Sequence, residues 1–218
     1  KLGVLTEFAT GGKHYRATLI GGDAPPASNA RNWQDTPVVP MTVRHSATRE
    51  FSRTASAVSD EGADEKRVLA GLGALGSQLV DLWTREGWGM WTLVDTDFVQ
   101  PHNVVRHIAR DQHVGFDKVD VVKDIIDAIR PLERKPATAF RGDILNTSNT
   151  AFVEDLKHAA LIVDATTTLE VPRELARRDD VPRCVSVFLT PAGRASTMLF
   201  EVDSRGVRLA ELVAQYYG

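Results

Sequence analysis

From residue 67 onwards, short apolar runs alternate with segments in which apolar residues recur at helical spacing. Short apolar runs predict strands at residues 67–73, 90–95, 137–144, 160–167, 182–190 and 194–202. Apolar residues at helical spacing predict helices at residues 74–89, 118–130, 147–158, 168–180 and 207–217. Alternating strands and helices are typical of a parallel sheet, and the short turn before the last strand favours an antiparallel pair. The sequence therefore predicts an α/β fold with a doubly wound mixed sheet, mostly parallel, and helices on both faces.

The first part of the chain does not follow this alternation. Residues 21–40 are rich in Pro, Gly, Asn and Asp, which favours irregular chain, with one strand predicted at 14–20 and a short helix within 43–56. A charged segment follows, so we predict an irregular N-terminal extension at residues 1–63 and a nucleotide-binding domain at 64–218. Because the sequence does not begin with Met, we expect a domain cut from a longer protein.

Composition and charge narrow the class of protein. Hydrophobic residues make up 43% of the chain and charged residues 25%, as in a globular protein with a full core. The net charge of −3 gives no indication of a nucleic-acid or membrane partner, and the sequence contains neither a long apolar run nor a signal pattern. The lone Cys184 excludes an internal disulfide and a four-cysteine zinc site. We therefore expect a soluble, cytoplasmic protein.

A glycine-rich segment lies between the first predicted strand and helix of the regular region. Gly71, Gly73 and Gly76 match the G-x-G-x-x-G pattern, in which glycines allow a tight turn, approach of backbone to phosphate, and packing of helix on strand. Asp95 ends the next strand, where a carboxylate can accept hydrogen bonds from a ribose. These residues predict a Rossmann-like site for an adenine nucleotide, and they leave NAD and ATP as alternatives.

Three further polar residues favour ATP. Asn103, Arg106 and Lys118 follow Asp95 closely, and a fixed guanidinium and ammonium can stabilise the charge that develops on departing pyrophosphate. Lys118 opens a predicted helix, where a cation is unfavourable unless an anion is nearby. An NAD-dependent oxidoreductase remains the alternative that rests on the glycines and Asp95 alone.

The segments VLAGLGALGS, LVDTDFVQPHNVVRH, VGFDK and LIVDATTT together resemble the ThiF/MoeB-type adenylating domain of ubiquitin-like-protein-activating enzymes. The resemblance spans about residues 67–200. It implies that ATP and Mg²⁺ are used to adenylate the C-terminal glycine carboxylate of a ubiquitin-like or sulfur-carrier protein, with release of pyrophosphate. It also implies nucleotide-binding roles for the three glycines, Asp95 and Asp97, and phosphate-contacting roles for Asn103, Arg106 and Lys118.

Two departures from the family pattern matter. The family has a second aspartate after its fourth strand that holds magnesium, but Thr167 stands at that position here, which leaves Asp164 as the candidate metal ligand. Magnesium held mainly by the phosphates is a second alternative, and a chain that binds nucleotide poorly and acts as a non-catalytic scaffold partner is the third. Cys184 lies in a predicted strand, so we interpret it as buried and structural rather than as a thioester-forming residue.

The remaining chemical groups carry weaker predictions. The family can use an arginine from an N-terminal helix of a partner subunit, so Arg49 or Arg53 could serve a homodimer, although a solvated basic helix is the favoured interpretation. His102, His107 and His113 lack metal-ligand spacing, and surface or phosphate-adjacent roles are expected for them. The tryptophans at 83, 88 and 91 are interpreted as core residues.

Overall fold

The computed structural model describes residues 5–10, 13–19, 41–45, 47–130 and 135–218, which fall into two compact units divided between Ala47 and Thr48. The first unit is an antiparallel sheet of strands β1 (Leu5–Thr10), β2 (Lys13–Leu19) and β3 (Met41–His45), in that order. Strand β2 coincides with the strand predicted at 14–20. The prediction of irregular chain at residues 21–40 lies outside the described residues.

The second unit contains the predicted alternation of strands and helices. In chain order its elements are α1 (Arg49–Ser56), β4 (Lys66–Ala70), α2 (Ala74–Glu86), β5 (Met90–Asp95), α3 (Lys118–Asp127), β6 (Ala137–Arg141), α4 (Thr150–Lys157), β7 (Leu161–Asp164), α5 (Glu170–Arg177), β8 (Cys184–Leu189), β9 (Ser196–Phe200) and α6 (Leu209–Tyr217). Helix α2 ends at Glu86, and its C-cap Gly87 adopts a left-handed conformation. Pro131, which follows the helix predicted at 118–130, lies outside the described residues.

The six strands of the second unit form one sheet in the order β6-β5-β4-β7-β8-β9. All neighbouring pairs are parallel except β8 and β9, which are antiparallel. This confirms the predicted doubly wound mixed sheet. The strand order reverses at β4, whose neighbours are β5 and β7, so the carboxyl ends of these strands open a crevice where such folds bind ligands.

Alternate residues of the central strands face two separate cores. Leu69 of β4 packs with residues of α2 and α3, including Val80 and Ile126. Val68, next to it in β4, points to the opposite face and packs with residues of α4 and α5, including Leu156 and Leu175. The two-residue period of a strand therefore places apolar side chains on both sides of the sheet, as a doubly wound fold requires.

Helix α1 belongs to the second unit, although the sequence placed residues 48–63 in the N-terminal extension. Arg53 is buried, pairs with Asp60 at 2.5 Å and donates to the carbonyl oxygen of Gly87. Arg49 pairs with Asp64 at 2.8 Å and donates to the carbonyl oxygen of Gly89. The favoured prediction of a solvated basic helix was wrong for these two residues, because both guanidinium groups bind oxygen atoms of this chain.

A buried carboxylate joins the last strands to the last helices. Glu201 is fully buried and accepts the backbone N–H groups of Cys184 and Leu209, at 2.9 and 2.8 Å. The guanidinium of Arg205 lies 2.8 Å from the same carboxylate and also donates to backbone carbonyls of Leu175 and other residues near α5. A buried charge needs such partners, and these contacts fix the β9–α6 connection.

Candidate functional site

A cleft of about 380 Å³ lies at the carboxyl ends of β4, β5 and β7. Its lining includes most of the residues predicted to form the site: Gly71, Gly73, Asp95, Asp97, Asn103, Arg106 and Lys118. It also includes Ala74, Leu75, His107, Ala165, Thr166, Thr167 and Leu189. Two predicted residues, Gly76 and Asp164, are not among the lining residues. The fold therefore gathers one cluster of polar groups from loops that are distant in sequence.

The glycine loop turns sharply between β4 and α2. Gly71 adopts a φ of +86°, and a Cβ atom there would lie 2.6 Å from the backbone of Ala165, so only glycine fits. A Cβ at Gly76 would lie 1.9 Å from the carbonyl oxygen of Gly71, which explains the third glycine of the pattern as a packing requirement. Gly73 differs, because a Cβ there would meet no atom within 4 Å. Gly73 is itself one of the residues that line the cleft.

The first turn of α2 presents backbone N–H groups at this cleft. Gly73 is the N-cap and has no side chain that could accept a hydrogen bond from them. The first intrahelical bond of the turn runs from the Ser77 N–H to the Gly73 carbonyl, at 3.1 Å. The N–H groups that precede Ser77 in the helix have no intrahelical acceptor. The helix dipole and these donors together favour an anion at this end of the cleft.

Asp95 holds the glycine loop as well as lining the cleft. Its carboxylate accepts the Leu72 N–H at 2.6 Å and the Asp97 N–H at 2.8 Å, through different oxygen atoms. Asp95 as a whole is half-buried. The loop side of the carboxylate is thus fixed, and the remaining lone pairs can accept hydrogen bonds from a hydroxyl group of a ligand.

Two cations of different character flank the cleft. Lys118, at the start of α3, is only 7% exposed, and its ammonium lies 2.8 Å from the carboxylate of Asp97. Arg106 is exposed, and its guanidinium has no ion-pair partner among the residues that the structure describes. Lys118 is therefore fixed in place, whereas Arg106 is free to follow an anionic ligand.

Asn103 shapes the segment that carries Arg106. Its side-chain oxygen accepts the Gln100 N–H at 2.8 Å and so closes a short 3₁₀ turn over Pro101–Asn103. Its backbone carbonyl accepts the N–H groups of Arg106 and His107, each at 2.9 Å. One lone pair of the side-chain oxygen is thus used within the turn, and the amide N–H₂ remains as a donor for a ligand.

The ThiF family profile matches residues 50–179, more than half of the chain. The chain belongs to the ThiF family. Among solved structures, E. coli TcdA, a tRNA N6-threonylcarbamoyladenosine dehydratase, is 26% identical over 63% of this chain and 58% of that chain, with a TM-score of 0.53. A structure of TcdA in complex with AMP is 23% identical over 66% of this chain and 62% of that chain, with the same TM-score.

A structure of E. coli MccB with ATP is 18% identical over 60% of this chain and 38% of that chain, with a TM-score of 0.48. No curated protein matches the sequence significantly. This ThiF-family chain spans less than two thirds of the length of either TcdA or MccB. Within the described residues, no helix is long and apolar enough to cross a membrane.

The resemblance to the ThiF family implies that magnesium is used. The contacts of the candidate ligand Asp164 show whether its carboxylate is available to hold the ion. Asp164 is 1% exposed and accepts three hydrogen bonds: from the Thr166 N–H at 3.0 Å, the Thr166 hydroxyl at 2.6 Å and the Ser186 hydroxyl at 2.8 Å. Burial raises the pKa of Asp164, and these three donors oppose that rise. Both oxygens of the carboxylate therefore serve the fold.

Thr167 lines the cleft at the position where the family carries its metal-binding aspartate. Its φ is +61°, a conformation that β-branched residues rarely adopt. No group of three or more His, Cys, Asp or Glu side chains able to hold a metal ion occurs in the described part of the chain. The residues present thus do not fit a protein-held magnesium ion, and the predicted metal role of Asp164 gains no support from the geometry.

His107 lines the cleft and is only 6% exposed. Of the two roles expected from the sequence, surface or phosphate-adjacent, the surface role is wrong for this histidine, and the phosphate-adjacent role stays a prediction. Its Nε2 lies 2.7 Å from the carbonyl oxygen of Leu72, and its Nδ1 accepts the Ala109 N–H at 2.9 Å. The sequence signal for this position in the cleft is that His107 directly follows Arg106.

The single cysteine of this ThiF-family chain is structural, as predicted. Cys184 is fully buried in β8, and burial raises the pKa of its thiol to about 12. A thiol of this kind is a poor nucleophile at neutral pH, because the thiolate is the reactive form. The tryptophans at positions 83, 88 and 91 also match their prediction, since their rings lie within 5.0–5.5 Å of one another in the core beside α2.

Proposed function

We propose that this chain binds ATP in the cleft and adenylates the C-terminal glycine carboxylate of a ubiquitin-like or sulfur-carrier protein, releasing pyrophosphate. One observation carries the proposal. The glycine loop, the uncapped start of α2 and the cations Lys118 and Arg106 all face one cleft at the strand-order reversal. A dinucleotide cofactor needs the loop, but it does not need two additional cations beside it.

The chemistry requires alignment and neutralisation of charge. A carboxylate oxygen of the substrate forms a bond to the α-phosphorus, the bond from that phosphorus to the bridging oxygen breaks, and pyrophosphate leaves with the electron pair. In the proposed arrangement the amides at the start of α2 bind phosphate, and Asp95 accepts hydrogen bonds from the ribose. Lys118 and Arg106 stabilise the charge on the leaving group. The substrate carboxylate is already a nucleophile, so the chain needs no general base.

We propose magnesium as a cofactor that the residues of the protein do not ligate. The carboxylate of Asp164 is committed to Thr166 and Ser186, and Thr167 carries no charge. We therefore assign any magnesium to the phosphates of ATP alone, where the ion would neutralise part of their charge. The fixed cation Lys118 and the mobile cation Arg106 neutralise the remainder.

The protein substrate, a homodimeric state and a cytoplasmic location are also proposals. A glycine carboxylate on a protein tail is favoured over a nucleic-acid substrate by the net charge of −3, since phosphate backbones are held by basic surfaces. The similarity to TcdA nevertheless makes tRNA a necessary comparison in any assay. Arg49 and Arg53 pair with acidic residues of their own chain, so they do not support the homodimer.

A second candidate function is a non-catalytic scaffold partner that binds nucleotide without adenylating anything. Thr167 favours it, because this residue replaces the charged side chain that the family uses for its metal. The two candidates differ in pyrophosphate exchange, since a scaffold would bind ATP but would not exchange labelled pyrophosphate into it.

The first experiment is titration calorimetry of the chain with ATP and with NAD⁺, each in the presence of Mg²⁺. We expect the chain to bind ATP. The Arg106→Ala variant should bind ATP at least about tenfold more weakly, because a charge-assisted contact between the guanidinium and phosphate is lost. Arg110→Ala is the matched control, since Arg110 is exposed near the same segment but does not line the cleft. Binding of NAD⁺ that is insensitive to Arg106 would overturn the proposal.

The second experiment separates the enzyme from the scaffold. ATP–pyrophosphate exchange is measured with a panel of candidate substrates: a sulfur-carrier protein that ends in Gly-Gly, the same protein with its last glycine removed, and tRNA. Exchange that requires the complete Gly-Gly tail is the expected result. ATP binding without exchange on any substrate would favour the scaffold, and exchange stimulated only by tRNA would replace the proposed substrate class.

A further inference from the structure

The ring of His107 is held by two hydrogen bonds that define its protonation state. The Ala109 backbone N–H can only donate, so Nδ1 of the ring accepts and carries no proton. The Leu72 carbonyl oxygen can only accept, so Nε2 of the ring donates its proton to it. The geometry is satisfied by one species alone, the neutral imidazole with its proton on Nε2.

The Nε2 bond joins the two halves of the candidate nucleotide site, and the Nδ1 bond orients the ring within its own segment. Leu72 lies within the glycine loop, and its own N–H donates to the carboxylate of Asp95. His107 directly follows Arg106, the mobile cation of the cleft, and the side-chain amide of Gln78 in α2 approaches the Arg106 carbonyl at 3.5 Å. The imidazole is therefore a direct side-chain link between the loop that would hold phosphate and the segment that carries Arg106.

The charged surroundings of His107 disfavour its protonation. Burial is the largest cause that lowers the pKa of the imidazole, and the positive charges of Lys118 in α3 and of His113 in the following 3₁₀ turn lower it further. The hydrogen bond to the Leu72 carbonyl and the negative charge of Asp95 at the end of β5 act in the opposite direction. The net direction is downward from the ordinary value of 6.5, so the ring is neutral at neutral pH.

We propose that neutral His107 is a positioning residue which holds the glycine loop and the Arg106 segment in their nucleotide-binding arrangement, and that its protonation in acid releases the two. The proposal rests on the proposed nucleotide site. A protonated ring carries a proton on Nδ1, which would face the Ala109 N–H, so one donor would point at another. The contact to Ala109 must then break, and the ring must rotate away from that N–H group, which turns its Nε2–H away from the Leu72 carbonyl and so loosens the link to the glycine loop.

The test measures ATP affinity by titration calorimetry at about pH 7.5 and about pH 5, the lower value lying below the ordinary titration range of histidine because the pKa of His107 is lowered. Four proteins are compared: the unaltered chain, His107→Ala, His107→Gln and His102→Gln. Glutamine can donate to the Leu72 carbonyl and accept from Ala109, but it does not titrate. His102 is exposed and does not line the cleft, so its replacement is the control for loss of a histidine nearby.

We expect the unaltered chain and His102→Gln to lose about tenfold or more in affinity between the two pH values, and His107→Gln to lose much less. His107→Ala should bind about tenfold more weakly even near pH 7.5, because neither hydrogen bond can form. Two results would overturn the proposal. In the first, His107→Gln loses as much ATP affinity in acid as the unaltered chain does. In the second, His107→Ala binds ATP near pH 7.5 as tightly as the unaltered chain.

A spectroscopic readout separates this proposal from the nucleotide site itself. The ¹⁵N resonances of the His107 ring should show the neutral Nε2–H form near pH 7.5 and should change in acid. Normal ATP binding by all variants at both pH values would overturn the positioning role and leave the nucleotide site standing. No ATP binding by the unaltered chain at either pH would overturn both proposals.

Discussion

The ammonium of Lys118 lies 2.8 Å from the carboxylate of Asp97, and the two ends of this ion pair differ greatly in exposure. The Lys118 side chain is 9% exposed and the Asp97 side chain is 68% exposed. The pair is further fixed through the backbone, because the Lys118 N–H donates to the Asp97 carbonyl at 3.0 Å. Asp97 thus holds the mostly buried ammonium group of Lys118 in place beside the cleft.

Replacing Lys118 with methionine should affect the ligand more than the fold. An ion pair with one exposed partner contributes about 1 kcal/mol or less to stability, so the free energy of unfolding should change little. ATP affinity should fall at least about tenfold, because a directed positive charge is removed from the phosphate site. Lys157→Met is the control, since Lys157 lies at the end of α4 and does not line the cleft. Equal ATP affinity in the two variants would show that Lys118 does not contact nucleotide.

The glycine loop offers a matched pair of alanine substitutions. Gly73 has a φ of −73° and free space where a Cβ atom would lie, so Gly73→Ala should leave the melting temperature nearly unchanged. The added methyl group would enter the cleft and should weaken ATP binding about tenfold or more, because it keeps phosphate away from the backbone.

Gly71→Ala should instead damage the fold. Its φ of +86° and its 2.6 Å approach to the backbone of Ala165 predict a loss of about 2 kcal/mol or more in the free energy of unfolding. Chemical denaturation of both variants measures the difference. A destabilised Gly73→Ala with normal ATP affinity would mean that Gly73 has a structural role and that phosphate does not approach it.

Thr167 can be replaced so that strain and metal binding are tested separately. Asn and Asp tolerate a positive φ better than Thr does, so both Thr167→Asn and Thr167→Asp should raise the free energy of unfolding by about 1 kcal/mol. Only the aspartate adds a carboxylate to the cleft. We expect ATP binding by Thr167→Asp to become tighter in Mg²⁺ than in EDTA, while the asparagine variant behaves like the unaltered chain. A magnesium dependence of ATP binding that is as strong in the unaltered chain as in Thr167→Asp would contradict the poor fit of the native residues to the ion.

Asp164 should make the free energy of unfolding depend on pH. Its folded pKa is raised, so between its unfolded pKa of 3.8 and its folded pKa the folded chain binds more protons than the unfolded chain. This contribution to stability is fully present below the unfolded pKa and is lost as the pH rises through the folded pKa. The stability of the unaltered chain relative to Asp164→Asn should therefore increase as the pH falls.

Urea denaturation of the two proteins from neutral pH to about pH 4 measures that difference. Asp164→Ala should be less stable than Asp164→Asn by about 1–3 kcal/mol at neutral pH, because Thr166 and Ser186 lose their acceptor. A constant difference between the unaltered chain and Asp164→Asn across this pH range would show that the folded pKa is not raised.

The sequence was sufficient for those parts of the molecule that depend on local pattern. The two hydrophobic periods predicted the strands and helices of the regular region, and the glycine spacing predicted a tight turn at Gly71 before α2. The order of the strands in the sheet could not be obtained in this way. It depends on which crossover brings β7 next to β4, and the local pattern of either strand carries no information about its neighbour.

The roles of individual polar residues were harder to predict, because they depend on contacts between distant segments. Asp164 has the same place at a strand end as Asp95, yet Asp164 is buried under Ser186 of the neighbouring strand and Asp95 lines the cleft. Arg53 has the spacing of a solvated helix residue, but the Gly87 carbonyl and Asp60 enclose it. Composition and period cannot distinguish these cases, since burial is decided by the packing of a second element.

The position of Cys184 has a practical consequence for following motion in this protein. The chain contains one cysteine, and its thiol is buried in β8 with a pKa of about 12, close to the carboxylate of Glu201. A thiol reagent can attack it only when the sheet opens near the start of β8. The rate at which the native protein is alkylated therefore measures how often the sheet opens near the start of β8. The measurement concerns a single site and needs no introduced label.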